Sequence, residues 1–454
     1  MKKITAFFLS LLLACSGLSG CAPQNPGNGS TRPESKTGEP SSSSTGEIPP
    51  RTGGGVEKLV NPAYPQGAAF GNYDAQQKLQ EENPVEEEFI KAVGAFAYQS
   101  ASQFLADGEN GNYSPVSLYL ALAVAGSGAE GVTKEEILQT LNAGKKDMDY
   151  VSQQSGNLFR LLFADNEVEK LKIANSLWLE NTVSWKDGFL QDAKTNGMAS
   201  VYRVDFQSQD TAKAMGEWVA ENTNGLIQPQ IQPEENQILS ILNTVYLKAE
   251  WVDRFDKAAT KPDTFTKTDG GKVTCDFMNS VYDSRTFARG NGYTAASLGL
   301  KGRSSVVFVL PDEGVSPKTL LQDAQNAGAM FRMENPTSGK VIFSIPKFDF
   351  GSKIDLKDGL MALGIKQAFE ADADFSGMTD QTAYLSSATQ QSHITLNEEG
   401  VEAAAFTELG YAGAGAPQDL ETAEMILNRP FLYAVMSAEG VPLFIGICSD
   451  PTKN

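Results

Sequence analysis

Hydrophobic residues recur at two different periods along this chain. Residues 86–106, introduced by Asn83-Pro84, carry Phe89, Val93, Phe96 and Phe104 at helical spacing, which predicts an amphipathic helix. Ser114-Pro115 predicts a second helix start, with Ser as N-cap and Pro at the first helical position, where a missing N–H is harmless. Thr133-Lys134-Glu135-Glu136 reads as a capping box that opens a third helix through Ile137, Leu138 and Leu141. Further along, the pattern shortens to strand-like runs at 238–247, 305–310, 341–350, 394–397 and 443–448. Helical and strand signals mix without regular βαβ alternation and without internal repeats, so the fold class is α+β.

A different pattern follows residue 397. Small and polar residues run from there to Arg429-Pro430-Phe431, punctuated by Gly410, Gly413, Gly415 and Pro417, the composition of a loop. The first half nevertheless alternates. Val401, Ala403, Ala405, Thr407 and Leu409 share one face, and Glu402, Ala404, Phe406 and Glu408 share the other. The first face is uncharged and mostly small, fit for a crowded sheet, whereas the second carries both carboxylates and suits water. The segment is a loop by composition and a strand by pattern.

The run Glu398-Glu399-Gly400-Val401-Glu402-Ala403-Ala404-Ala405-Phe406-Thr407 resembles the reactive-centre-loop hinge of the serpins, protease inhibitors that trap a target by inserting a cleaved loop into their main sheet. Asn112-Tyr113-Ser114-Pro115-Val116-Ser117 is similar to the start of that family's central helix. Ala174 to Trp178, Asn243 to Lys248 with Trp251, Val309 to Glu313, Ile345 to Phe348, Asp372 to Gly377 and Pro430-Phe431-Leu432 follow in family order. The resemblance covers about residues 85–452. It implies one domain with three β-sheets, about eight or nine helices and an exposed reactive-centre loop at about 398–428.

The same resemblance implies a suicide substrate and no enzyme. A serine or cysteine protease attacks the loop and forms an acyl-enzyme, and loop insertion then races deacylation. Gly400 supplies freedom at the pivot; Ala403 and Ala405 are small where strands must close. Val401 stands where Thr is more frequent, and Phe406 where a small residue is usual, but alternation places Phe406 outward. Ser114, Ser117 and Asn243 match the family's shutter, and Trp251 its breach. Gln390 occupies a shutter position that is often His. Because Gln both donates and accepts, a shutter without pH sensitivity is expected.

Family spacing from Gly400 places the scissile bond at Ala414-Gly415. The distance onward to Pro430 is longer than usual, and the extra length is assigned to 418–424. Small residues around the bond suit an elastase-like serine protease, while Tyr411-Ala412 would suit a chymotrypsin-like one. Ala416-Pro417 is disfavoured by Pro after the bond, and trypsin-like targets by the lack of Arg or Lys between Gly400 and Asn428. The alternative reading is a non-inhibitory serpin acting as a binding or carrier protein. Such members carry charged or bulky inward hinge residues, which this chain lacks.

Other chemistry finds little support. The single histidine, His393, has no Gly-x-Ser-x-Gly elbow beside it and reads as a strand residue. Asp372-Ala373-Asp374 begins like a calcium loop, but Ala383 stands where the bidentate Glu belongs. No cofactor or metal is expected. A net charge of −19 argues against nucleic acid and polybasic lipid contacts, and a monomer is expected.

The N-terminus reads as an address. Lys2-Lys3 precedes an apolar run from Ile4 to Ala14, and Leu18-Ser19-Gly20-Cys21 matches a bacterial lipobox better than the competing Cys15. Residues 1–20 are therefore expected to be a lipoprotein signal peptide, with Cys21 lipidated. Residues 21–55, rich in Pro, Gly, Ser and Thr, read as a flexible tether, 56–84 as an arm and 85–454 as the domain. Localisation at the cell surface, held to the membrane by lipid alone, follows. Cys275 and Cys448 are expected to be buried free thiols. A surface solute-binding lipoprotein would account for the anchor but leave the hinge, shutter and breach unexplained.

Overall fold

The helical spacing around Phe89 becomes the helix Glu87–Phe104, which buries Phe89, Val93, Phe96 and Ala97. The computed structural model describes residues 55–233, 237–386, 388–401 and 421–453. The helix Pro115–Ser127 is apolar on nearly every side and buried along most of its length, as a helix enclosed by other elements must be. It packs against the strands Leu239–Glu250 and Pro442–Cys448.

Two helix starts differ from expectation. Ser114 stands at the N-cap with an extended backbone, but its hydroxyl donates to the Leu443 carbonyl at 2.7 Å instead of capping the helix. The third helix is Gly131–Thr140 and begins two residues before the expected box. Thr133 Oγ1 accepts from the Asp374 N–H at 2.9 Å, and Glu136 Oε2 accepts from the N–H groups of Lys366 and Gln367 at 2.7 Å each. Tertiary partners have claimed both side chains of the box.

The strands form two hydrogen-bonded sheets among the described residues. Across the first, the order is Glu57–Val60, Ala199–Val204, Glu169–Glu180, Leu239–Glu250, Gly400–Val401, Thr389–Asn397 and Phe348–Asp355, with Ala164–Asp165 beside Glu169–Glu180. The second runs Thr422–Ile426, Thr337–Pro346, Lys272–Gly290, Tyr293–Gly299, Ser305–Pro311, Phe431–Met436, Pro442–Cys448 and Gly111–Tyr113, with Lys261–Thr266 on Lys272–Gly290. The expected second and third sheets are continuous here, because the 19-residue strand Lys272–Gly290 passes through both. The stretch 341–350 is not one strand. It breaks at Lys347, whose N–H donates to Asp276 O at 2.9 Å, and its halves lie in different sheets.

Ten α-helices are present among the described residues, one of them, Tyr73–Glu82, within the segment 56–84. That segment also places Glu57–Val60 antiparallel on Ala199–Val204 and sets Tyr64 between Phe159 and Phe163, each ring centroid 6.1 Å away. Cys448 is buried and Cys275 half-buried, both as free thiols. Among the described residues no helix is long and apolar enough to cross a membrane.

Candidate functional site

The strands Leu239–Glu250 and Thr389–Asn397 lie on either side of the two-residue strand Gly400–Val401 and are both antiparallel to it. Gly400 faces Asn397 and Glu250, and Val401 faces Leu396 and Ala249. Among the described residues, these two positions supply all the pairing on that edge of Leu239–Glu250. The start of the hinge is therefore already a strand, wedged between two parallel neighbours at one end of the sheet. Glycine is required by close approach: a Cβ at 400 would lie 2.0 Å from the Ala249 carbonyl oxygen. Val401 is 2% exposed, and its branched side chain is accepted in the sheet.

Charges hold the turn just before this pair. Glu398 reaches Lys347 at 3.2 Å and accepts from Thr260 Oγ1 at 3.0 Å; Glu399 pairs with Lys257 at 2.8 Å. Burial works to raise the Glu398 carboxyl, but hydrogen bonds from the backbone, Thr260 and Lys347 outweigh it and keep it below the usual carboxylate range. The hydrogen bond and charge of Glu399 raise the Lys257 ammonium above its ordinary value.

Trp251 is fully buried at this end. Its Nε1 donates to Asn397 O at 2.9 Å and its backbone N–H to Glu399 O at 3.0 Å, so it fastens both arms of the turn. Phe255 packs edge-on against it and donates its N–H to Glu398 O at 3.0 Å. Beside it Glu250 takes Lys301 and Arg254, each at 2.8 Å.

Further down the sheet, Ser114 and Gln390 clasp each other. The Ser114 N–H donates to Gln390 Oε1 at 2.7 Å, and Gln390 Nε2 donates to Ser114 O at 2.9 Å. Asn243 does not join them. Its Nδ2 donates to Asn175 Oδ1 on the neighbouring strand at 2.5 Å, and its own Oδ1 is buried without a partner. Ser117 is buried and, with Asn243 and Gln390, lines a cavity of about 60 Å³ over the central helix.

Sequence reasoning missed several members. Asn112 donates to Ser392 Oγ at 3.1 Å and accepts from the Tyr433 hydroxyl at 3.0 Å, extending the clasp to the second sheet. Asn112 and Lys347 stand within motifs read from the sequence, where a polar residue flanked by apolar ones was the available signal. Lys257 and Thr260 carry no such signal. Another is Glu169, 7% exposed, opposite Ala249 in the row that contains Val401. Its Oε1 accepts from Ser304 Oγ at 2.8 Å, and it lines a cavity of about 100 Å³. Burial pushes its carboxyl up to about 7, with the Ser304 hydrogen bond opposing and the Glu439 charge adding.

His393 Nε2 lies 2.6 Å from Asp349 on the adjacent strand, among no candidate nucleophile of the sequence reading. Glu402, Ala403, Ala404, Ala405, Phe406, Thr407, the Ala414-Gly415 bond and Cys21 lie outside the described residues. Beyond the loop, Thr422–Ile426 is paired in parallel with Thr337–Pro346, and Arg289 binds Glu421 and the Thr422 carbonyl.

Comparison with known proteins meets this geometry. A family model described as Serpin (serine protease inhibitor) matches residues 91–451. Neuroserpin of Homo sapiens is 30% identical over 385 residues, which cover 80% of this chain and 91% of that protein. The native-state structure of the thermophilic serpin tengpin superposes with a TM-score of 0.75 at 26% identity, covering 87% of this chain and 99% of its own. Thyroxine-binding globulin in complex with thyroxine gives a TM-score of 0.69 at 25% identity, covering 80% of this chain and 99% of its own. The match runs from within the helix Glu87–Phe104 through the wedged hinge to beyond the last strand, and the chain belongs to the serpin family.

Proposed function

We propose that this serpin is a suicide-substrate inhibitor of serine proteases, with elastase-like enzymes as its targets and Ala414-Gly415 as the bond attacked. One observation carries the reading: Gly400–Val401 has entered the main sheet while Thr422–Ile426 holds the far side of the loop in the second sheet. A loop so bracketed is fixed at both ends, and cutting it releases the hinge side to continue between its neighbours. The pairing of Gly400 with Glu250 sets the register, so that residue i falls opposite residue 650 − i. Tyr411 then arrives opposite Leu239, the residue of that strand farthest from the hinge, and Ala414 lands three positions beyond it. An acylated protease at Ala414 is thereby carried to the opposite end of the sheet.

Support for the elastase-like preference comes from the small residues around Ala414. Incubation with pancreatic elastase followed by denaturing electrophoresis tests both parts. A denaturant-stable band at the summed mass less the released fragment 415–454, with loop cleavage at Ala414, is expected. Cleavage without such a band would instead favour a carrier protein. We assign the chain to the cell surface through a lipid on Cys21. Cys21→Ser is expected to abolish lipid labelling and release the protein from membranes; retention on the membrane would overturn the assignment.

A further inference from the structure

The cavity of about 100 Å³ beside Glu169 has a wall that the loop does not touch. The helix Tyr73–Glu82 closes one side, and the turns 302–304 and 437–439 close others. Glu169 is more than nine-tenths buried there. Ser304 satisfies its Oε1, but among the described residues no hydrogen bond reaches its Oε2. Gly302 keeps the space beside that oxygen, since a Cβ at 302 would come within 1.6 Å of it. Across the cavity, Gln76 Oε1 is buried and also lacks a partner. Glu439 lines the same space and makes no ion pair among the described residues. Arg303 is the one cationic residue of the wall, yet it is exposed and pairs with neither carboxylate. Buried acceptors left without donors are costly.

We propose that this cavity binds a small primary alkylammonium ion, its charged head against Glu169 and its alkyl stem against Leu79, Leu171 and Leu443. Three N–H donors on the head answer three acceptors, Glu169 Oε2, Gln76 Oε1 and the Glu439 carboxylate. An anion is repelled by both carboxylates, and an apolar molecule leaves all three acceptors unpaired. A divalent metal finds no cluster of three acidic, His or Cys ligands among the described residues. One water needs about 10–15 Å³ of such space, so the cavity has room for an amine of about four carbons.

The test titrates n-butylammonium chloride into the intact full-length protein at pH 8, followed by ligand-observed NMR, with 1-pentanol as the uncharged control of similar shape. Saturable binding with a Kd of about 1 mM or below is expected, and 1-pentanol should bind about tenfold more weakly or less. Glu169→Gln keeps the shape but loses the charge and is expected to weaken binding about tenfold or more. Gln76→Leu removes the orphaned acceptor and is expected to weaken it severalfold. Binding should also depend on pH. Burial pushes the empty site's Glu169 carboxyl up to about 7. Glu439 and Arg303 are the other charged groups of the wall, and Asp165 nearby is already held by Lys170 and Lys172. The cation requires ionised Glu169, so affinity should rise about tenfold from pH 6 to pH 8 while the amine stays protonated. No saturable binding, equal binding of 1-pentanol or a flat pH profile would overturn the proposal. An affinity unchanged by both variants would reduce it to general attraction toward an acidic surface and overturn it equally. Should Glu169→Gln not fold, Gln76→Leu and the pH profile of the parent still decide.

Discussion

A methyl group at position 400 would sit 2.0 Å from Ala249 O and 2.9 Å from Glu250 Cα, contacts that no backbone adjustment of a few tenths of an ångström relieves. Gly400→Ala is therefore expected to drive the Gly400–Val401 pair out of the sheet while sparing the rest of the fold. Faster amide exchange in the peptide 396–401, together with a severalfold higher stoichiometry of inhibition, would show it; unchanged protection would count against the wedge. Glu169 makes a second prediction, about pH. Its carboxyl is raised from 4.5 to about 7 by burial, with Glu439 adding, so the fold favours the neutral form. Its contribution to stability is complete below pH 4.5 and is lost as pH rises through about 7, by about 3 kcal/mol at most. The difference in thermal midpoint between parent and Glu169→Gln should therefore change steadily from pH 5 to pH 8, and a constant difference would refute it. Gly400 was legible in the sequence because a glycine between charged and alternating residues marks a pivot. Glu169 was not, because a carboxylate at the start of an apolar run looks like a solvated strand end until Ser304 and Gly302 close over it.

At the scale of the element, the register turns the hinge alternation into partners. Val401 lies opposite Ala249, so on insertion Ala403 falls opposite Leu247, on the buried side with Leu247 and Ala249, whereas Glu402 falls opposite the half-exposed Lys248. Ala403→Arg would bury an unpaired charge, which costs several kcal/mol or more, and each ~1.4 kcal/mol added to the barrier slows insertion about tenfold. Cleaved loop with active protease is the expected outcome, while Glu402→Arg and Phe406→Ala keep most inhibition. Efficient trapping by Ala403→Arg would refute the register. The same count brings Thr407 opposite Asn243, whose Oδ1 lacks a donor in the present state. Thr407→Val should then slow insertion modestly, about tenfold or less for one hydrogen bond, and an unchanged rate would separate Asn243 from the insertion step. Alternation was readable because its period is local. The break at Lys347 and the diverted capping box were not, since the residues that decide them, Asp276, Asp374 and Lys366, lie 71, 241 and 230 positions away or pair with a different sheet.

The whole molecule joins these scales through its main sheet, where Gly400–Val401 pairs with both Leu239–Glu250 and Thr389–Asn397. The α+β class was legible because helical and strand periods mix without βαβ alternation, and the serpin family because its motifs fall in order along the chain. The extra edge strand Glu57–Val60 was not, because four residues with one charge of each sign carry no strong strand pattern and are fixed by Arg203 and Val201. In the present state Leu239–Glu250 and Thr389–Asn397 are held apart by the hinge pair at one end, with a cavity of about 60 Å³ farther along. On the proposed mechanism, loop cleavage near Ala414 lets residues 402–411 pair along Leu239–Glu250, and each backbone hydrogen bond so made contributes about 0.5–1.5 kcal/mol net. Ordering the inserted residues would cost conformational entropy, while insertion would fill the cavity lined by Ile241 and Asn243, both half-exposed in the present state. On the proposed mechanism the intact chain is expected to be kinetically held in a state less stable than its cleaved form. Limited proteolysis confined to the loop should raise the thermal midpoint by several degrees at least, whereas in Ala403→Arg the same cut should raise it far less. A parent midpoint that stays put after clean cleavage would show that the main sheet does not accept its loop.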